Sequence, residues 1–367
     1  MPLDDLFAEA ERQMNVCNSC RYCEGYCAVW PALELRTELS KGDLTHLANL
    51  CHDCRDCFTA CMYTAPHEFD LNPPKVFAEL RTETYTSYVW PRTLPRPLRG
   101  AAGTAVSAVA IGLVLLGLSV ATTGGAAFTA GASGDPYALL PSWLMLVVVG
   151  VPTLWSVAIG AWAVAGYWRD THGAFRDLAS PRTWGRALRA AATLRHMRGG
   201  GEEECAYPTE RPTPARRRYH GLTFWGFVLC YASTVSAAIE QHLVGIDPPY
   251  PPLSVPVVLG TVGGVGMIIG CAGLLVLKRR SAPEMGTETM RRADHGLLGA
   301  LLVLAVTGML TLLLRETGLF GAILLIHLAA IVVCFAVAPY TKFVHWVYRL
   351  LAIYQDEWEH DRAAAAQ

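Results

Sequence analysis

The chain has 367 residues, 52% of them hydrophobic and 17% charged, with a mean hydropathy of +0.29, which excludes a disordered chain and a purely soluble one. Lysine plus arginine number 30 against 31 aspartate plus glutamate, a net charge of -1, so no global basic field exists to hold nucleic acid. The apolar excess is uneven: residues 1–99 read as an ordinary polar segment, while most of 100–346 falls into apolar runs. The expected fold class is therefore all-α, a small helical head on a six-helix transmembrane bundle. The head is expected over 1–90, a linker marked by Pro91, Pro95 and Pro97 over 91–100, the membrane domain with a loop at 169–219 over 101–350, and a tail over 351–367.

The opening MPLDDLFAEAERQ lacks the basic start and apolar stretch of a secretory signal, which places the head in the cytosol. In that compartment dense cysteines indicate metal rather than disulfides. Eight of the 12 cysteines repeat one spacing, C-x2-C-x2-C-x3-C, as Cys17, Cys20, Cys23, Cys27 and again as Cys51, Cys54, Cys57, Cys61. Three thiolates so spaced can wrap one 4Fe–4S cubane while the fourth completes its neighbour. The expected assignment is crossed: Cys17, Cys20, Cys23 and Cys61 on one cluster, Cys51, Cys54, Cys57 and Cys27 on the other. Zinc draws its four ligands as two separated pairs and leaves surplus thiolates here. Proline does not follow the fourth cysteine directly, as it does in the bacterial ferredoxin run, but comes later as Pro31 and Pro66. The 23 residues between the motifs read as helix, with Asp43 capping LTHLANL. Cys205, Cys230, Cys271 and Cys334 read as small hydrophobes.

A helix needs roughly 20 apolar residues to cross a bilayer, and six segments qualify: 101–122, 142–168, 221–241, 254–277, 297–314 and 321–344. Basic residues alternate between connections. Lys75, Arg81, Arg92, Arg96 and Arg99 precede the first span, 11 arginines lie in 169–219, and Lys278, Arg279, Arg280, Arg291 and Arg292 follow the fourth span. The loops 123–141 and 242–253 carry none, and the last connection has only Arg315. Because positive loops stay inside, the expectation is a multi-pass protein of the cell inner membrane with both termini cytoplasmic. The long loop carries a tract Gly199, Gly200, Gly201 and an amphipathic stretch near 183–198, suited either to anionic lipid headgroups or to a partner. The fourth span, GTVGGVGMIIGCAG, suits close helix packing or room for a porphyrin or quinone ring. Apart from Glu240 near an end, no carboxylate falls within the six segments, which argues against a pump or proton-coupled carrier.

Ionisable residues in spans mark function. His327 and His345 are 18 residues apart, five full turns if one helix carries both, on one face and about 27 Å apart. His220 and His242 bracket the third span, about 33 Å apart if helical. Two helices each offering a histidine near either surface could hold two stacked b-haems, His220 with His345 on the cytoplasmic side and His242 with His327 on the outer side. His295 is a possible substitute ligand. His46, His52, His67, His172, His196 and His360 read as solvated or locally hydrogen-bonded.

The cysteine head resembles the alpha-helical ferredoxin domains of succinate dehydrogenase and heterodisulfide reductase, which implies an electron relay rather than a catalyst. The run HLAAIVVCFAVAPYTKFVH resembles the last haem-ligating helix of the nitrate reductase gamma family. Over nearly the whole chain the double head, the six spans, the closing PYTKFVHWVYR and the motifs HGLTFWGFVLCYAST and YPPLSVPVVLGTVGGVGMIIG resemble the tricarballylate utilization protein B (CitB/TcuB) family. That resemblance implies a membrane protein that reoxidises the FADH2 of a separate flavoprotein, a tricarballylate dehydrogenase, and passes electrons to the quinone pool. A related protein of cobalamin synthesis shares the architecture, so the flavoprotein's substrate stays open. No G-x-G-x-x-G fingerprint follows a strand, so the chain itself is expected to bind neither FAD nor NAD. The competing class is a tricarballylate or citrate transporter with an iron–sulfur sensor head.

Overall fold

The computed structural model describes residues 2–94, 101–129, 134–199, 205–209, 211–281 and 286–366. Pro95, Arg96, Pro97 and Arg99 of the expected linker, with Gly200 and Gly201, lie outside the described residues. Among the described residues every regular element is helical.

The head comprises α1 (Leu3–Cys20), α2 (Val29–Glu34), α3 (Lys41–Leu50), α4 (Asp56–Thr59) and α5 (Pro73–Tyr88). α1 places Asp4 and Asp5 in its first turn, where the helix dipole favours carboxylates, and buries Leu6, Ala10 and Met14 at i, i+4 spacing. The stretch 28–50 is two helices rather than the expected one. α2 stops at Glu34, and α3 begins afresh with a capping box in which Ser40 Oγ accepts from Asp43 N at 3.1 Å and the Asp43 carboxylate accepts from Ser40 N at 3.1 Å. Asp43 is therefore the third helical residue and Ser40 the cap. α3 buries Leu44, Leu47 and Leu50 together with Thr45, His46 and Asn49, so it runs through the middle of the head.

The membrane body follows as α6 (Ala101–Thr123), α7 (Ala126–Thr129), α8 (Ser142–Asp170), α9 (Pro181–Ala192), α10 (Ala215–Ile239), α11 (Val255–Arg280), α12 (Glu288–Leu313) and α13 (Phe320–Val337). Six of these, α6, α8, α10, α11, α12 and α13, are long and apolar enough to cross a membrane. They present Val106, Leu113, Leu154 and Trp162 outward, each more than 60% exposed, a surface suited to lipid rather than to water.

Two spans differ from their expected form. α12 starts at Glu288, upstream of the apolar window, because Thr287 caps it by accepting from Met290 N at 3.4 Å. Asp294 thereby lies inside a spanning helix, contrary to the expected lack of carboxylates there, and two lysines, Lys278 and Lys342, bond it. The last span does not run on to His345. α13 ends at Val337, Pro339 and Thr341 sit in a break, and α14 (His345–Ala365) begins on the histidine itself. Proline inside a helix removes a donor and clashes with the preceding turn, so the five-turn alignment of His327 with His345 does not exist.

α14, placed by the sequence partly in a tail, packs against α3, α8 and α9. One continuous core joins Leu6, Met14, Leu47 and Phe77 of the head to Ala163 and Tyr167 of α8, Ala187 of α9 and Tyr348 and Tyr354 of α14. The amphipathic face of the long loop is covered by the chain itself: Arg186 of α9 bonds Glu357 at 2.7 Å and Asp361 at 2.5 Å.

The glycines of α11 are committed to helix contact and leave no space for a ring there. A Cβ on Gly263 would lie 2.7 Å from the Gly226 carbonyl oxygen, and one on Gly226 would lie 2.8 Å from that of Gly263, so the backbones of α10 and α11 touch. Replacing Gly226 with Leu must push them apart, at a cost of about 1–3 kcal/mol for overpacking. We expect Gly226→Leu to lower the melting temperature in detergent while Gly150→Ala, with nothing near its Cβ, leaves it unchanged. Equal stability of the two variants would refute the contact.

Candidate electron-transfer site

Cys17 and Cys20 occupy the last turn of α1, and Cys51 is the residue on which α3 ends. After the second cysteine of each set the chain turns through an arginine in the left-handed region, Arg21 at φ 56 and Arg55 at φ 73. A non-glycine residue there costs on the order of 1–3 kcal/mol, and the turn carries the third cysteine back toward the first two. The repeated unit is thus C-x2-C-R-x-C, and the paired arginines are a signal the cysteine spacing alone did not use.

The structure groups the eight cysteines around two cavities that share Cys57. One is lined by Cys17, Cys20, Cys23, Cys57 and Cys61, the other by Cys27, Cys51, Cys54 and Cys57. Trp30 and Pro73 line both. Cys61 thus joins the first motif and Cys27 the second, the grouping of a crossed arrangement. Burial together with neighbouring thiols pushes the Cys17 thiol up to about 12 and Cys23 up to about 11, and burial with Cys51 nearby pushes Cys27 up to about 12. Crowded thiols of this kind ionise together only when cations lie among them, which iron supplies. Tyr63 N also donates to Cys61 Sγ at 3.3 Å. Among the described residues no three His, Cys, Asp or Glu side chains lie placed to hold a metal ion, so the fit rests on the residue types and their grouping. The donor set fits a polynuclear iron–sulfur group.

The two cavities differ in surroundings. Cys20 is exposed, and beside it Tyr22 and Met62 are 58% and 64% exposed. Cys51 and Cys54 are buried against the membrane body. From α10, Arg216 Nη2 donates to His52 O and Nη1 to Asp53 O, both at 2.7 Å. From α5, Arg81 Nη1 donates to Cys51 O at 3.0 Å and also to Ala48 O. Arg55 reaches Ser281 Oγ at the end of α11 at 2.5 Å. Tyr207 lies between Arg55 and Arg216, with their guanidinium carbons 4.6 and 5.0 Å from its ring centroid. Cys205 was read as filler, yet its thiol interacts with Cys54 and donates to Met197 O at 2.9 Å. Its place in a polar loop, unlike the three cysteines in apolar spans, was the available signal.

The structure brings His220 and His345 together, with ring centroids 6.4 Å apart and planes at 90°. Two imidazoles on opposite sides of one metal, with bonds of about 2.0–2.1 Å as for zinc and imidazole nitrogen, have centroids about 6 Å apart. His345 Nδ1 lies 2.7 Å from Lys342 O, a bond that fixes the ring and leaves Nε2 free to ligate. His220 Nδ1 is buried without a hydrogen-bond partner. This pair fits a haem iron. No ring contact joins the outer pair among the described residues: His242 is exposed on the π-helical turn Glu240–Val244, while His327 Nδ1 lies 3.0 Å from Thr307 Oγ1, its ring against Gly308. His295 Nδ1 is engaged 2.7 Å from Arg291 O. His46 is fully buried with neither ring nitrogen partnered, contrary to its expected solvation, and burial holds its pKa well below the usual range. His52, His67 and His360 make local bonds, His172 Nε2 lies 3.0 Å from Ser40 Oγ of the head, and His196 Nε2 is buried without a partner, contrary to its expected solvation.

If the crossing holds, Cys27→Ser and Cys54→Ser disturb one cluster, and Cys20→Ser and Cys61→Ser disturb the other. Low-temperature EPR of the reduced variants should give two matching pairs of spectra. A Cys27→Ser spectrum matching that of Cys20→Ser would show that each motif keeps its own fourth cysteine.

Residues 10–87 match the family model described as the citrate utilization protein B Fer4-like domain, and residues 92–367 match that of citrate utilization protein B. The citrate utilization protein B of Escherichia coli is 38% identical over 346 residues, 94% of this chain and 90% of that protein. No solved structure matches. With both family models matched in series and a relative of this identity aligned nearly end to end, the chain belongs to the citrate utilization protein B family.

Proposed function

We propose that the chain is a membrane-bound electron-transfer protein that reoxidises the FADH2 of a partner flavoprotein and delivers the electrons to membrane quinone. The partner acts on tricarballylate or a related carboxylic acid. The observation that carries this reading is the order of the donor groups. An exposed cysteine set leads to a buried one, and the buried set is bonded to an arginine four residues from His220 on the same helix.

Iron–sulfur clusters on the eight cysteines and a b-haem on His220 and His345 supply one-electron storage when bound. The chain's own residues determine where and in what surroundings that happens. Cys20 lies at the surface beside Tyr22 and Met62, where a partner can approach. Arg81 and Arg216 hold the Cys51–Asp53 carbonyls and place positive charge beside the buried set, which favours added negative charge there. Burial of Cys54 beside Tyr207 and Cys205 and of Cys51 in the head core excludes water. The head side of the bundle, with its basic connections, faces the cytoplasm of the cell inner membrane. The Asp294 carboxylate, bonded by two lysines, resembles a fixed structural pair more than the exchangeable acid of a carrier.

A cofactor limited to one-electron steps cannot remove a hydride, so the substrate's identity resides in the flavoprotein. The purified full chain should oxidise no tricarballylate with a quinone analogue. Adding the cognate flavoprotein and substrate should start quinone reduction, and stopped-flow traces should show the chain's absorbance changing after the flavin's. Turnover of the acid by the chain alone would end this reading.

A further inference from the structure

A cavity lies where the head meets the membrane body, between α5, the break at 338–344 and α14. Three cations line it, Arg81, Lys342 and Arg349, beside Tyr85 and His345, and among the described residues no carboxylate does. Asp294, next to the lining residue Ala293, is shared by Lys278 and Lys342, so one negative charge serves two lysines. Arg349 Nε is buried with no hydrogen-bond partner, a donor that costs stability while nothing accepts from it. Arg81 joins the cavity to the buried cysteine set through its bond to Cys51 O. Neutral ligands leave such a surplus of positive charge uncompensated, whereas a ligand with two carboxylates on one edge satisfies it.

We propose that Arg81, Lys342 and Arg349 receive the two propionate carboxylates of the haem. The inference rests on the reading that His220 and His345 hold that haem, and it assigns three further cofactor-binding residues. A guanidinium offers donors in a planar fork that matches a carboxylate, and His345 lines the same cavity, so the ligating ring and the carboxylate sites lie within one enclosure. A quinone headgroup, which carries no carboxylate, is the competing occupant, and the cationic lining disfavours it.

The test uses the full chain, purified with its clusters from cells supplied with haem. Arg349→Gln and Lys342→Gln should retain the wild-type iron–sulfur signal but release haem to apomyoglobin faster, roughly ten- to a hundredfold for each charged bond lost. The haem midpoint potential should fall, because a cation that favoured the reduced iron is gone. Arg349→Lys should restore part of the retention. Reconstitution with protohaem dimethyl ester separates carboxylate binding from general loosening: esterification should speed release strongly from wild type and only weakly from Arg349→Gln. Equal sensitivity to esterification in both proteins, or variants that release haem like wild type, would overturn the inference while leaving the histidine reading intact. Loss of quinone-analogue binding in Arg349→Gln with unchanged haem release would overturn it in favour of the quinone. A haem-supplied wild type with no haem band would remove the histidine reading itself, and this inference with it.

Discussion

The bond from Arg216 to the loop of the second cysteine set is the constraint on which the rest of the architecture turns. Arg216 stands near the start of a spanning helix, and its guanidinium reaches two successive carbonyls, those of His52 and Asp53, at 2.7 Å each. Hydrogen bonds from a charged donor contribute about 1.5–3 kcal/mol apiece. They fall on the segment that must hold Cys51 and Cys54 in register. A loop with Asp53 and Arg55 both in the left-handed region would relax if free. Here membrane helix and head oppose that relaxation from two sides, because Arg81 takes the Cys51 carbonyl from α5.

This clamp explains why the head is not a bead on a proline hinge. The aromatic rings of Tyr85, Tyr88, Tyr167 and Tyr348 interlock at the join, with Tyr85 stacked on Tyr348 at 4.4 Å and Tyr167 edge-on to Tyr348 at 5.1 Å. They come from the head, from α8 and from α14, and they belong to the same core as Leu47 and Phe77. Folding of the head and folding of the membrane body are consequently coupled. A substitution in the C-terminal helix at Tyr348 acts on the cysteine sets through packing, with no contact to a thiol needed.

Much of this was legible in the residues. Six apolar runs gave six spanning helices to within a few residues at most ends, because length and hydropathy are sufficient for a helix that satisfies its own backbone. The cysteine repeat showed which residue types converge, and the cavities place Cys61 beside the first motif and Cys27 beside the second, with Cys57 lining both. What escaped depends on local backbone events and on contacts distant in sequence. Pro339 lay in plain view inside the last apolar run, yet hydropathy integrates over it, so the break before His345 was missed and the alignment drawn across it failed. Ser40 outcompeted Asp43 as a cap because the box needs both residues in reciprocal roles. Arg216 looked like one of 11 arginines in a basic loop, and only folding singles it out.

The distribution of charge along the molecule gives the arrangement a direction. At the exposed cysteine set Arg21, Tyr22 and Met62 are open to solvent. At the buried set Arg55, Arg81 and Arg216 surround the loop, and beyond it Lys342 and Arg349 line the seam with His345. The cations on the bundle side are buried and only partly offset, by Asp53 beside Arg55 and by Asp294 on Lys342. A charge in the low-dielectric seam acts more strongly than one on the surface, so the same number of cations would have less effect around Cys20. Negative charge beside these buried cations is favoured more than at exposed Cys20. That difference comes from the fold rather than from composition, since the chain as a whole is close to neutral. It requires the break at Pro339, because only a chain that stops and restarts there turns His345, Arg349 and Tyr348 away from the lipid and back under the head.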